Sequence, residues 1–228
     1  MMRCAAVVCL FAVACVVCGC ASATGWSYRP EPLVSRSPAI QKGVAVIPLT
    51  DMRPNQNHNW TALSLIPLVP YGQATFEVPE SEPLAYASGV RPTEDIAKAI
   101  ADELRNTGLF KEAFFTFRES DADLVLRGEL CSLRYVLWHT HYGLSVPGDL
   151  LWLIGFPVGG THSHLNVRLL LEERQTKKVV WTHTIDERAG SVLWLYYMRK
   201  APVHSVLLKK GMLKALPTIA PALMKAAP

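Results

Sequence analysis

Residues 164–171, HLNVRLLL, alternate between apolar and polar side chains and decide the fold class of this chain. From Leu165 onward an aliphatic residue occupies every second position, and successive side chains of a strand point to opposite faces of a sheet. A polar turn over residues 173–178 follows, and residues 179–186 are the predicted returning strand, so the two strands predict a β-hairpin. The centre of the chain is therefore predicted to be a sheet with one buried face.

Segments on either side of this hairpin predict further strands and two helices. Strands are predicted at residues 43–49, 110–117 and 124–138. A helix is predicted over residues 92–108, because apolar residues recur at helical spacing and a glycine suits the left-handed position that ends a helix. A second helix is predicted at residues 203–216. This order predicts an α/β (α+β) two-layer sandwich: a mixed sheet, two main helices packed on one face, and an apolar hairpin insert.

Residues 1–19 have the features of a secretory signal peptide, with Arg3 followed by an apolar run over residues 5–17. The run is shorter than the ~20 residues that a transmembrane helix needs. The stretch Val17-Cys18-Gly19-Cys20 resembles a bacterial lipobox, although Cys18 is an unusual occupant of its position. The sequence therefore predicts cleavage before Cys20 and acylation of its thiol, with chains such as palmitate holding the protein on a membrane. A plain signal peptide cut nearby and an uncleaved anchor are the alternatives.

Composition supports an exported single-domain protein. Five of the six cysteines lie at or before Cys20, which leaves Cys131 alone and excludes an internal disulfide in the mature chain. Residues 20–40 are rich in serine and proline and predict a lipidated cysteine followed by an extended tether. Residues 41–228 are predicted to form one periplasmic domain. A formal net charge of +4, spread along the chain, gives no reason to expect nucleic-acid binding.

Several short motifs resemble a superfamily of envelope lipoproteins. The superfamily includes the N-terminal domain of the Tol-system propeller protein, the curli-secretion lipoprotein, lipoprotein activators of penicillin-binding proteins and auxiliary lipoproteins of lipid transporters. The motifs lie at residues 44–53, 103–110, 122–130 and 178–181, within the 43–187 region that the resemblance covers; segments 67–72 and 142–145 look more like a narrower group of uncharacterised outer-membrane lipoproteins. The resemblance implies assembly or scaffolding at the envelope without catalysis. The apolar insert at 142–161 departs from most members.

Four histidines flank the insert in two His-x-His pairs. If the flanking strands pair antiparallel with His139 opposite His164 and His141 opposite His162, the four imidazoles meet at the base of one hairpin. Such a cluster would suit zinc or copper, or would charge and loosen below about pH 6.5. The alternative is that the histidines are partly exposed polar residues beside an apolar loop. Apart from this zinc hypothesis, no cofactor is expected.

The insert over residues 142–161 is the candidate contact surface. Pro147, Asp149 and Pro157 argue against a membrane-spanning helix, and Ser145 is predicted to cap a short helical turn. The segment would lie in a bilayer interface, dock a partner, or fold back over the sheet as core. Its candidate membrane- or partner-contact residues are Leu150, Leu151, Trp152, Leu153, Ile154 and Phe156.

Motifs for catalysis are weak. Ser145, Ser163 and Ser191 lack the Gly-x-Ser-x-Gly context of a nucleophile elbow. The sequence therefore predicts a non-enzymatic, membrane-anchored binding or assembly component with an envelope protein as partner. The alternatives are an accessory lipoprotein that binds lipid or a metal ion, and, third, a metal-dependent hydrolase. Ala21 after the lipidated cysteine resembles outer-membrane sorting, while the inner membrane and the cell surface stay open.

Overall fold

The computed structural model describes residues 26, 28–33, 37–54, 56–77, 91–119, 122–197 and 204–226; the predicted signal peptide and Cys20 lie outside them. Its strands are Ile40–Val46 (β1), Thr50–Asp51 (β2), His58–Asn59 (β3), Gly72–Glu77 (β4), Phe110–Phe115 (β5), Leu124–His139 (β6), Pro157–Glu173 (β7) and Val179–Trp194 (β8). Its helices are Pro92–Thr107 (α1), Asp149–Leu153 (α2) and His204–Ala226 (α3), with 3-10 turns at Thr61–Leu65 and Val146–Gly148. The predicted mixed α/β fold is confirmed.

β6 is the central strand of the sheet. Along one edge it pairs with β1 in parallel near its start and with β4 antiparallel near its end. Along the other edge it pairs antiparallel with β7, which pairs in turn with β8. β5 extends the sheet beyond β1, and β3 extends it beyond β4. The three long strands β6, β7 and β8 therefore carry the sheet past β1 and β5.

α1 covers the start of the sheet. Pro92 occupies its first turn, and Gly108 ends it in the left-handed conformation with φ 59°, as predicted. Ile96, Ile100 and Leu104 are buried on the face that meets the sheet. The helical spacing of these residues is what makes one face of the helix apolar.

α3 covers β8 and extends further than predicted. It continues through Pro217 and Pro221 to Ala226, because Ile219 remains buried and the Trp181 indole N–H donates to Thr218 Oγ1 at 2.9 Å. These contacts stabilise the helix beyond Pro217, and Leu223, which packs against the core, stabilises it beyond Pro221. Gly211 permits the close approach, since a Cβ there would lie 2.3 Å from the Ile185 side chain.

The predicted alternation in β7 is confirmed, whereas the predicted register is wrong. Leu165, Val167, Leu169 and Leu171 are buried beneath the helices. Leu165 pairs with Leu133 and Val167 pairs with Leu130, with an irregularity between Leu130 and Ser132. The predicted register would have set these core residues opposite the outer part of β6. The observed register sets Leu165 and Val167 opposite buried leucines and is favoured by burial.

The N-terminal segment packs against the helical layer. The Tyr28 hydroxyl donates to the buried Glu103 carboxylate of α1 at 2.8 Å. Lys209 of α3 donates to the Arg29 carbonyl at 3.0 Å, and its ammonium lies 2.8 Å from the Glu31 carboxylate. Residues 28–33, which belong to the predicted tether, therefore pack against both helices. Within the described part of the chain, no helix is long and apolar enough to cross a membrane.

Candidate functional site

Three segments meet where β6 and β8 end: residues 60–71, 142–156 and 192–197. We refer to them together as the apolar end. The predicted insert forms the middle segment, except that residues 157–161 belong to β7 rather than to a loop. The first and third segments were not among the predicted site residues, although residues 60–71 are visibly apolar in the sequence.

Aliphatic side chains of the apolar end are exposed to solvent. Leu68 is 90% exposed, Ile154 72% and Leu150 64%. Among the predicted contact residues, Leu153 and Phe156 are also exposed, while Leu151 and Trp152 are half-buried. Contiguous exposed apolar surface is uncommon on proteins that act as monomers in water and marks interaction sites.

Hydrogen bonds hold the three segments together. The Leu68 N–H donates to the Gly143 carbonyl at 2.8 Å, and the Ser145 hydroxyl donates to the Leu65 carbonyl. Ser145 therefore bridges two loops and makes no side-chain cap bond to the helical turn that follows it, which corrects the predicted role. The Tyr196 hydroxyl joins the third segment to the second by donating to the Leu153 carbonyl at 2.9 Å.

Aromatic rings fill the base of the insert. The Trp152 indole N–H donates to the Thr140 carbonyl at 3.0 Å, and its ring lies 5.0 Å from that of His141. The Tyr142 and Phe156 rings meet edge to face at 5.6 Å, the Tyr142 hydroxyl donates to the Pro157 carbonyl, and burial raises the pKa of Tyr142. The polar atoms of Trp152 and Tyr142 are bonded inward, so the apolar parts of these two rings remain available for contact.

The backbone of the apolar end is unusually constrained. Leu68 has φ 70°, Tyr142 φ 57° and Ser145 φ 57°, and these are three of the four non-glycine residues with positive φ among the residues described. Such conformations are costly for residues that carry a Cβ and persist only where neighbouring contacts impose them. The loops are therefore held in one shape.

The apolar end carries almost no charge. Asp149 is the one Lys, Arg, Asp or Glu residue in its three segments. The Asp149 carboxylate lies 3.1 Å from Nε2 of His141. A groove of about 470 Å³ flanks the first segment and is lined by His58, Trp60, Leu63, Val69, Pro70, Tyr71, Gly72, Gln73 and Thr75.

The four predicted histidines do not form one cluster. His139 pairs with Gly159 at the end of β6, and His141 lies beside Trp152. His162 is exposed opposite Val136, and His164 lies opposite Arg134. Burial, followed by the neighbouring His141, lowers the pKa of His139. No group of three or more metal-ligating side chains occurs in the described part of the chain, which removes the geometric basis of the predicted zinc site.

His164 instead belongs to a polar network that the sequence did not reveal. Its Nε2 lies 2.9 Å from Asp186 Oδ1, and its Nδ1 lies 3.3 Å from Ser132 Oγ. The Ser132 hydroxyl donates to Glu77 Oε1 at 2.9 Å, and Arg134 donates to the same oxygen at 2.8 Å. The register shift near Ser132 brings these residues together across four strands.

Ser132, His164 and Asp186 are the residue types of a catalytic triad, but the position of the Ser132 proton differs from that in a triad. In a triad the serine hydroxyl gives its proton to the imidazole. Here Ser132 is buried and its hydroxyl donates to the Glu77 carboxylate, so its proton is already engaged. The hydrogen bond from His164 lowers the pKa of Asp186. The arrangement ties β4, β6, β7 and β8 together.

Comparison with known proteins gives structural neighbours only. No protein-family model and no curated protein matches the sequence. Among solved structures, the chain is similar to protein XCC0632 of Xanthomonas campestris, described by the family name DUF330, with 11% identity, a TM-score of 0.47, and 89% of this chain and 98% of that chain covered. It is also similar to the PelC dodecamer of Paraburkholderia phytofirmans. One crystal form has 16% identity and a TM-score of 0.40, with 83% of this chain and 95% of that chain covered. A second crystal form has 16% identity and a TM-score of 0.38, with 78% of this chain and 92% of that chain covered.

Proposed function

We propose that this protein is a membrane-anchored envelope lipoprotein and a non-enzymatic binding or assembly component, whose apolar end contacts another component of the envelope. The observation that carries the proposal is the exposure of aliphatic side chains on constrained loops, led by Leu68, Leu150 and Ile154. Side chains that stay exposed to water do not stabilise the fold by burial. Their exposure therefore favours a role in contacting another molecule. The lipobox-like residues around Cys20 support the anchor, and the outer membrane facing the periplasm is the proposed location.

Labelling in cells tests the anchor. Cells fed radioactive palmitate should label the wild-type chain, and Cys20→Ser should lose the label because the acceptor thiol is gone. Cys131→Ser is the matched control and should keep it. A Cys20→Ser chain that remains labelled would contradict lipidation at this position.

Cross-linking tests the contact surface. A photoreactive residue at position 154 should give cross-linked products in intact cells, whereas one at position 224 should give few. Ile154 and Met224 are matched because they are 72% and 73% exposed, and Met224 lies on α3 away from the apolar end. Equal product from both positions would contradict a specific surface.

Lipid binding is the second candidate function. The 470 Å³ groove beside the apolar end, with Trp60, Leu63 and Tyr71 in its lining, is the observation that favours it. Tyr71→Glu would place a charge in that groove and should lower retention of a fluorescent fatty acid by the purified protein. Unchanged retention would argue against a lipid site there.

A further inference from the structure

We infer that the apolar end enters the interfacial region of a lipid bilayer and forms a second membrane attachment beside the proposed lipid anchor. The inference rests on the proposed function, since it names lipid, rather than a protein, as what the contact surface meets. Three features of the molecule favour the bilayer.

The first feature is the order of residue types along each loop. Residues 60–71 begin with Trp60 and end with Tyr71, and their exposed aliphatic residues lie between. Residues 142–156 repeat the arrangement, from Tyr142 to Phe156. Tryptophan and tyrosine prefer the level of the lipid headgroups, while aliphatic side chains prefer the hydrocarbon below. Two adjacent loops thus present aliphatic tips with aromatic residues at their bases.

The second feature is the hydrogen bonding of backbone N–H groups within the apolar end. Backbone groups that enter hydrocarbon must be hydrogen-bonded inside the protein, because lipid tails offer no partners. Backbone N–H groups at the tips donate to carbonyls of the same end; they belong to Leu63, Ile66, Leu68, Val69, Leu144, Gly148, Ile154, Gly155 and Phe156. A protein partner would impose no such requirement, since its own groups can pair with free N–H groups at an interface.

The third feature is charge. Protein interfaces are enriched in arginine and surrounded by a polar rim. The three segments contain no lysine, arginine or glutamate, and their single aspartate, Asp149, lies beside His141. A charged side chain at depth in a bilayer is costly, so a surface that enters lipid is expected to lack them.

Vesicle binding without the acyl chains tests the inference. The protein would be residues 20–228 with Cys20→Ser, which contains every described residue. It should float with vesicles of phosphatidylcholine alone and with vesicles of phosphatidylethanolamine and phosphatidylglycerol. Raising the salt concentration should leave binding nearly unchanged, because Asp149 is the single Lys, Arg, Asp or Glu residue of the three segments. Leu150→Glu combined with Ile154→Glu should lower the vesicle partition coefficient by about a hundredfold, since about tenfold per residue follows from losing buried apolar area and adding charge.

A matched double variant provides the control. Leu213→Glu with Met224→Glu places the same charges at exposed positions of α3 and should leave the partition coefficient unchanged. Equal urea midpoints for both double variants show that both are folded. Failure of the parent protein to float, or equal floating of both double variants, would overturn the inference.

The two proposals fail in distinguishable ways. If the parent protein does not float but position 154 cross-links to a protein in cells, the contact surface stands and the bilayer inference is overturned. If the protein floats through its apolar end and palmitate label is independent of Cys20, the inference stands and the proposed lipidation is wrong.

Discussion

The helix-covered body and the apolar end use the same aliphatic residues in opposite ways. In the body, where α1 and α3 cover the sheet, Ile100 and Leu208 have no exposed surface. At the apolar end, Ile154 and Leu150 are mostly exposed. The difference teaches that hydrophobicity in the sequence measures only a tendency to leave water. A side chain can leave water by packing inside its own chain or by contacting another component.

The largest expected effect distinguishes leucines of the two regions. Leu208→Ala should lower the free energy of unfolding by ~2–5 kcal/mol, because it removes buried methyl groups and leaves a cavity. Leu150→Ala should change it by less than ~0.5 kcal/mol, since the side chain is exposed. Urea denaturation of both variants measures this. A comparable loss in Leu150→Ala would show that the apolar end is a second core.

The next effect compares two tyrosine hydroxyls. Burial, with the Glu103 carboxylate, raises the pKa of Tyr28, so its hydroxyl keeps the proton that it donates. Tyr28→Phe should cost ~1–2 kcal/mol, because a buried carboxylate loses a donor. Tyr196→Phe removes a hydroxyl that bonds at the exposed end and should cost less than ~0.5 kcal/mol. Chemical denaturation of both variants measures the two losses in the free energy of unfolding. Equal losses would show that the contact of residues 28–33 contributes little to the stability of the body.

A smaller effect concerns stability in acid. Burial lowers the pKa of His204 in the folded protein, while the unfolded chain titrates near pH ~6.5. Below that pH the unfolded state binds more protons, so the free energy of unfolding should fall as the pH drops from about 6.5 toward the folded-state pKa. His204→Gln keeps an N–H for the Arg134 carbonyl and should make the fall shallower. His139→Gln, at a half-buried position at the end of β6, should do so less.

The measurement is urea unfolding at several values between about pH 7 and about pH 5, where histidine titrates. Met224→Gln, at an exposed residue that does not titrate, serves as the reference and should reproduce the wild-type pH profile. A His204→Gln profile that parallels the wild type would contradict the assignment of the acid sensitivity to this burial.

The smallest expected effect is on stability at the tip. Ile154→Glu should leave the free energy of unfolding within ~0.5 kcal/mol of the wild type, because most of the Ile154 side chain is exposed to solvent. The same variant should lower the fluorescence of a dye that binds exposed apolar surface. Denaturation and dye titration on one sample measure both. A destabilised Ile154→Glu would indicate that the tip supports the fold.

Much of the fold could be predicted, because its signals are local. The spacing of Ile96 and Ile100 and the position of Gly108 predicted α1 and its end. The alternation from Leu165 predicted the buried face of β7. The register could not be predicted, since it depends on the irregularity beside Leu130 and on matching core residues across two strands. The predicted pairing of β6 with β7 was displaced by five residues. It therefore placed together four histidines that the structure separates.

The candidate site was predicted only in part, because composition is a local signal and contacts between distant segments are not. Composition identified residues 150–156 as apolar, and four of the six predicted contact residues are exposed. Their union with residues 60–71 and 192–197 depends on hydrogen bonds between loops distant in the chain, such as that from Leu68 to Gly143. The network around His164 also required the register.

The sequence by itself determined the element types, the buried faces and the near absence of charge around residues 142–156, because periodicity and composition are properties of neighbouring residues. Only the tertiary structure decided which apolar segments became core and which were left exposed. Both kinds have the same composition, and their fates depend on how far α1 and α3 extend over the sheet. The long strands β6, β7 and β8 extend past those helices, and no described residue covers the side chains that are exposed beyond them.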